Sequence, residues 1–351
     1  MKKLLDRIFI DGLGGMAQGL FATLIIGTII QQIGLFMGGG TGDLIYELGK
    51  IAAGLTGAGI GVGVARKLEA GHLVIVSAAV VGMIGAFAGK ILSGQVLVDG
   101  NLVLAGPGEP LGAFAAAYLA IEIGILISGK TKLDIILTPL VCIGTGSAVG
   151  LFVGPPISEF MLWLGSLINW GTEQQPFLMG IVVSVLMGMI LTLPISSAAL
   201  GVILNLSGIA AGAATIGCCC NMIGFAVASW RENKFSGFLA QGIGTSMLQI
   251  PNIVRRPLIW LPVILSSAVL GPIGTMLLHM TNNATGSGMG TAGLVGPLMT
   301  WQVMTQSEAG VIVLGKIILI QFILPAAVTL LISEFMRKKK WIRQGDMKLE
   351  L

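Results

Sequence analysis

The residues best suited to chemistry in this chain are neutral amides and hydroxyls, gathered in two polar, glycine-rich stretches of an otherwise oily C-terminal half. These are Gly242 to Arg256 (GIGTSMLQIPNIVRR) and His279 to Thr291 (HMTNNATGSGMGT). The first offers Ser246, Gln249 and Asn252 around Pro251; the second offers Asn282 and Asn283 among small residues. Asn and Gln each present donors and acceptors, and a hydroxyl does both. Such groups bind a neutral sugar, polyol or similar metabolite by hydrogen bonding. Pro251 removes a backbone donor and disfavours helix at Ile250, which points to a re-entrant tip with exposed amides. A third motif, LTLPISSAAL (Leu191 to Leu200), sets Ser196 and Ser197 beside Pro194. Those hydroxyls either open to a cavity or stabilise a kink. The expected substrate-binding residues are therefore Ser246, Gln249, Asn252, Asn282, Asn283, Ser196 and Ser197, with no catalytic residue. Arg255 and Arg256 read more simply as topogenic bases.

Ionisable groups add little. Glu122 lies between Ile121 and Ile123, deep in an apolar run, and is the acid best placed for an intramembrane ion pair or a proton relay. Asp43 and Glu47 also lie within or beside the spans, and Glu109 and Glu159 fall near predicted outer ends, where solvation is the cheaper explanation. His279 has no acid or second histidine nearby, so no metal is expected there, and a hydrogen-bonded structural role is. Cys142 and Cys218 to Cys220 match neither a zinc nor a redox spacing and read as buried thiols. GAGIGVG (Gly57 to Gly63) sits in an apolar helix without the strand context of a dinucleotide loop. No cofactor is expected.

Elements that could position these groups follow from composition. The chain is 54% hydrophobic and 10% charged, against roughly 25% charged in soluble domains, and its mean hydropathy is +0.93. With apolar runs of about 20 residues, this is an all-α polytopic membrane protein embedded in a lipid bilayer. The formal charge of +4 is spread in short loops and is not a nucleic-acid signal. Spans are expected near 12–37, 44–64, 70–93, 109–129, 133–154, 176–194, 199–229, 256–278 and 309–335, with an amphipathic stretch at 156–170. About ten crossings are expected, plus two re-entrant hairpins at 236–252 and 282–301. The segment 199–229 is long for one crossing, so it is tilted or broken. A single transmembrane domain over 1–336 would divide into a scaffold half (about 12–170) and a substrate-site half (about 176–335), followed by a basic tail, 337–351. Lys2, Lys3, Arg7, Arg66, Lys67, Lys130, Lys132, Arg231, Lys234 and the tail place both termini in the cytoplasm by the positive-inside rule. Gly144 to Pro155 and Gly286 to Pro297 echo one another, hinting at an internal repeat.

The order of these segments resembles the membrane-embedded IIC component (EIIC) of the phosphoenolpyruvate-dependent phosphotransferase system, nearest to its fructose type. Gly12 to Gly34, Gly59 to Gly85 (GIGVGVARKLEAGHLVIVSAAVVGMIG), Leu133 to Ile168 with LTPL and GPPI, and Ile250 to Gly274 (IPNIVRRPLIWLPVILSSAVLGPIG) carry the resemblance. Where the family has a Thr-Glu pair before its Ile-Pro, this chain has Ser246 and Met247. The family's Asp and Asn-Lys near Leu191 to Ala199 are also missing, and no IIB domain is attached. The chain thus looks closest to a divergent branch similar to the perfringolysin regulator. The resemblance implies a bacterial plasma-membrane homodimer with a cavity in each protomer, with separate IIA and IIB proteins as its only route to phosphoryl chemistry. The function expected is transport of a small polar solute, a sugar or sugar-like metabolite, by an EIIC-like alternating-access mechanism without phosphorylation. The alternative is a membrane sensor or regulator that keeps the pocket; a membrane-embedded enzyme ranks last, because no convergent acid–base pair is visible.

Overall fold

Small residues set how closely the N-terminal helices approach. The computed structural model describes residues 7–98, 100–104, 106–172 and 174–349, with backbone alone at 98, 158, 161, 162, 169, 199, 202 and 203. Lys2 and Lys3 lie outside the described residues. The chain divides into two compact units, Met1–Leu162 and Trp163–Leu351.

In the first unit, α1 (Arg7–Met37) is followed by α2 (Gly39–Gly54) and α3 (Thr56–Lys67), which meet at a 50° bend. Then come α4 (His72–Leu92), a short hairpin of β1 (Leu97–Val98) and β2 (Asn101–Leu102), α5 (Pro110–Ile127) and α6 (Asp134–Thr172), of which the part up to Leu162 belongs to this unit. Gly15 and Gly19 of α1 face Gly63 and Gly59 of α3, and Gly57 and Gly61 face Gly82 and Ala78 of α4. A methyl group on Gly19 would collide with the Gly59 carbonyl. In lipid, where apolar burial gives helices no net attraction, such close backbone contact supplies the association.

The second unit holds α7 (Pro176–Thr192), α8 (Ser197–Ile203), α9 (Gly208–Ala228), α10 (Trp230–Leu239), α11 (Ile250–Arg255), α12 (Pro257–Leu277), α13 (Ala284–Ser287), α14 (Val295–Met304) and α15 (Gly310–Lys338). α9 is buried on every face from Ala211 to Phe225, as expected of a central helix. Two apolar clusters flank it. One joins Ile216 and Cys220 to Leu270, Met304 and Ile317; the other joins Phe225 to Ile253, Val263, Met336, Ile342 and Met347. Residues beyond the last helix are therefore part of this unit's core.

The all-α, polytopic class holds. Among the described residues seven helices are long and apolar enough to cross a membrane, eight if the bent α2–α3 pair is one span, and Pro176–Thr192 is a shorter apolar helix. The ten expected crossings exceed this because the helix over 176–192 is shorter than a full span and 156–170 continues α6 instead of standing alone. The segment 199–229 is broken, with Asn205 and Gly208 at positive φ between α8 and α9. The supposed repeat is not a structural one. Gly144 to Pro155 is helical throughout, whereas Gly286 to Pro297 turns through positive φ at Gly290, Gly293 and Leu294.

Candidate functional site

The two polar stretches form chains of short helical pieces, and their side chains find partners inside the second unit. Around Pro251 the backbone passes from α10 through Ala240–Gly244 and one tight turn, Ser246–Gln249, into α11. Breaks of this kind leave amides free of helix bonding, and each buried amide then needs a side-chain or backbone partner.

Those partners form a relay of amides. Gln241 Nε2 donates to Ser229 Oγ at 2.9 Å. Gln249 Nε2 donates to Gln241 Oε1 at 2.7 Å, and Asn252 Nδ2 to Gln249 Oε1 at 2.8 Å. The relay ends on the tail: Gln249 Nε2 also donates to the Met347 carbonyl at 3.1 Å, and Asn252 Nδ2 to the Lys348 carbonyl at 2.9 Å. Asn233 brackets the same strand of chain, donating to the Met347 carbonyl and accepting from the Leu349 N–H, both at 2.8 Å. Ile342 and Met347 are buried, at 2% and 0% exposure. Arg337 forms a buried ion pair with Glu232 at 2.9 Å, and Arg256 lies 3.8 Å from Asp346. The tail is docked on the amides the sequence singles out.

Ser246 belongs to a second cluster centred on Asn221. Its hydroxyl shares a 2.8 Å hydrogen bond with Thr192 Oγ1. Asn221 Oδ1 accepts from Thr192 at 3.1 Å and from Trp260 Nε1 at 3.2 Å, while its Nδ2 donates to the Gly217 carbonyl and Ser267 Oγ. Met247, the residue after Ser246, is 6% exposed.

The third cluster surrounds Asn282. Its Nδ2 lies within bonding distance of Thr215 Oγ1 (2.8 Å), Thr300 Oγ1 (3.0 Å) and the Gly296 carbonyl (3.1 Å). Its Oδ1 accepts from the Asn283 N–H at 2.8 Å. Gln321 Nε2 donates to Thr300 Oγ1 at 2.9 Å, and Gln321 Oε1 is buried without a partner. Asn283 Oδ1 caps α13 through the Gly286 N–H. Ser197 Oγ donates to the Gly288 carbonyl at 2.6 Å, an approach that Gly288 permits because a side chain there would strike the Ser197 carbonyl. Ser196 is buried at the α7–α8 break. Thr291 Oγ1 donates to the Gly242 carbonyl at 2.5 Å and so ties the two polar stretches together.

Sequence reasoning missed Asn221, Gln241, Thr192, Thr215, Thr300 and Gln321. Asn221 and Gln321 carried a usable signal, an amide alone in an apolar span. One expectation changes. His279 is exposed at φ +46° and has no hydrogen bond among the described residues, in place of the hydrogen-bonded structural role expected of it. Glu122, in the first unit, accepts from Arg7 Nε at 2.6 Å with both side chains partly exposed. Elsewhere Glu109 caps α5 and Glu47 pairs with Lys50.

Comparison with curated proteins returned no match. The family model described as "Phosphotransferase system, EIIC" matches residues 10–349, a range that includes both units, all three polar clusters and the docked tail. The chain therefore belongs to the EIIC family of the phosphotransferase system and is a multi-pass membrane component of that sugar-transport machinery.

Proposed function

We propose that this EIIC protein carries a small polar solute, a sugar or sugar-like metabolite, across the bacterial plasma membrane by alternating access and without supporting phosphorylation. One observation carries the reading: no Asp or Glu occurs from 174 to 231 or from 233 to 307, and Met247, the position that the resemblance sets against the family's acid, is a buried apolar side chain. What remains in the broken segments is amide and hydroxyl. Ser246, Gln249, Asn252, Asn282, Asn283, Ser196 and Ser197 hold the solute by hydrogen bonds. At Gln249 and Asn252, binding exchanges the Met347 and Lys348 carbonyls for solute hydroxyls. Exchange at constant bond number is nearly neutral, whereas leaving a buried amide unpaired costs about 1–3 kcal/mol. Glu122, paired with Arg7, is the acid available for proton coupling in the first unit. The protein works as a homodimer with cytoplasmic termini, and separate IIA and IIB proteins are dispensable for flux.

Counterflow of a labelled sugar into proteoliposomes is expected without phosphoenolpyruvate. Asn252→Ala is expected to abolish solute-induced thermal stabilisation. Phosphoenolpyruvate-dependent sugar phosphate formed with purified IIA and IIB proteins would overturn the reading. The docked tail favours a second reading, a sensor in which solute releases the tail. Solute binding that exposes residues 340–349 to protease without any flux would select it.

A further inference from the structure

The turn that joins α15 to the docked tail borders an open surface hollow of about 410 Å³ lined by Arg231, Arg337, Lys340, Ile342, Arg343 and Gln344. Four of its six lining residues are cations, and they come from three places: the start of α10, the end of α15 and the tail. Two are answered within the fold, Arg231 by Glu334 at 2.8 Å and Arg337 by Glu232 at 2.9 Å. Lys340 and Arg343 are exposed and have no acidic partner among the described residues. The Arg337 side chain is only 8% exposed, and its Nε is buried without a hydrogen-bond partner.

A basic run beside a membrane is ordinarily a solvated, topogenic feature. This one is built. The Lys340 N–H donates to the Arg337 carbonyl at 2.9 Å and the Trp341 N–H to the Met336 carbonyl at 3.0 Å. Lys340 sits at φ +60°, a conformation uncommon outside glycine. Ile342 is anchored in the core, and the Arg343 N–H donates to Asp346 Oδ2 at 2.8 Å. The backbone thus holds the two unanswered cations on either side of a buried anchor, at the rim of a concave surface. Guanidinium forks match the oxygens of a tetrahedral phosphate, and an ammonium adds a point charge.

We propose that this hollow binds a phosphate-bearing anion, with Lys340 and Arg343 as the principal contacts. A free phosphate compound and an anionic lipid headgroup share that chemistry. Full-length protein in neutral detergent would be titrated with inorganic phosphate and, separately, with dioctanoyl-phosphatidylglycerol against dioctanoyl-phosphatidylcholine, reading thermal shift and, for the lipids, native mass spectrometry. The K340Q/R343Q pair is expected to weaken binding of the responding probe about tenfold or more. The K338Q/K339Q pair removes the same charge outside the hollow and is expected to leave binding within about twofold. A response to phosphate assigns a soluble ligand; a response to phosphatidylglycerol alone assigns a headgroup. Absence of response to either probe, or equal loss in both pairs, would overturn the proposal. None of these readouts uses solute flux, so the outcome is independent of the transport reading.

Discussion

Asn221 shows what a single amide does in this interior. It answers Thr192, Trp260, Ser267 and the Gly217 carbonyl at once. Asn221→Leu would strand the partly buried Trp260 N–H and take from Ser267 Oγ its amide donor, while the Gly217 carbonyl keeps its helical N–H partner and the bond from Ser267. Each stranded group costs about 1–3 kcal/mol, so a marked fall in melting temperature is expected in detergent, with Trp260→Phe in the same background recovering part of it. A melting point unchanged from the parent would remove Asn221 from the structural centre. Pro251 and Pro194 mark the breaks beside Gln249 and Ser197, because proline lacks the N–H that continues a helix and is favoured at a helix start, although Pro139, Pro155 and Pro156 lie inside α6. The partners of those side chains were not readable. Gln249 meets a carbonyl 98 positions away, and nothing in local spacing encodes that distance.

At the scale of elements, packing separates glycines that look alike in the sequence. Gly61 lies against the Ala78 carbonyl, whereas Gly144 has open space around it. Gly61→Ala is expected to destabilise by about 1–3 kcal/mol through forced separation of α3 and α4. Gly144→Ala is expected to be neutral or stabilising by up to about 1 kcal/mol, because it removes backbone freedom within α6. Comparing melting temperatures and monodispersity of the two variants checks this. The docked tail is a second element whose hold rests on few atoms. Asn233→Ala deletes both of its bonds to 347–349. Faster proteolysis between 340 and 349 and a severalfold tighter solute affinity are expected, since the tail would release Gln249 and Asn252 more readily. Helix positions were legible because a bilayer fixes a minimum apolar length. The tail's docking was not, because a run of lysines and arginines hides the two apolar anchors, Ile342 and Met347.

For the whole molecule, the arrangement of bases predicts which loops share a side. The native thiols at Cys142 and Cys218 to Cys220 are buried, so labelling of introduced cysteines has a low background. Cysteine at Lys132 or Gln344 is expected to react with an impermeant maleimide only from the cytoplasmic side, and cysteine at Asn101 only from outside. Labelling of all three from one side would refute the proposed orientation. The two-unit division falls within α6, and composition gives no mark there, because a continuous apolar helix reads the same on both sides of the boundary.

The pairing of Gln249 with Met347 also dictates an order of assembly. The ribosome finishes Gln249 long before it reaches Met347, so the amide relay enters the bilayer incomplete and must rely on water or the insertion machinery until the closing carbonyls emerge. Nascent chains halted before residue 347 should therefore linger with translocon chaperones and be degraded, although every hydrophobic span has already been synthesised.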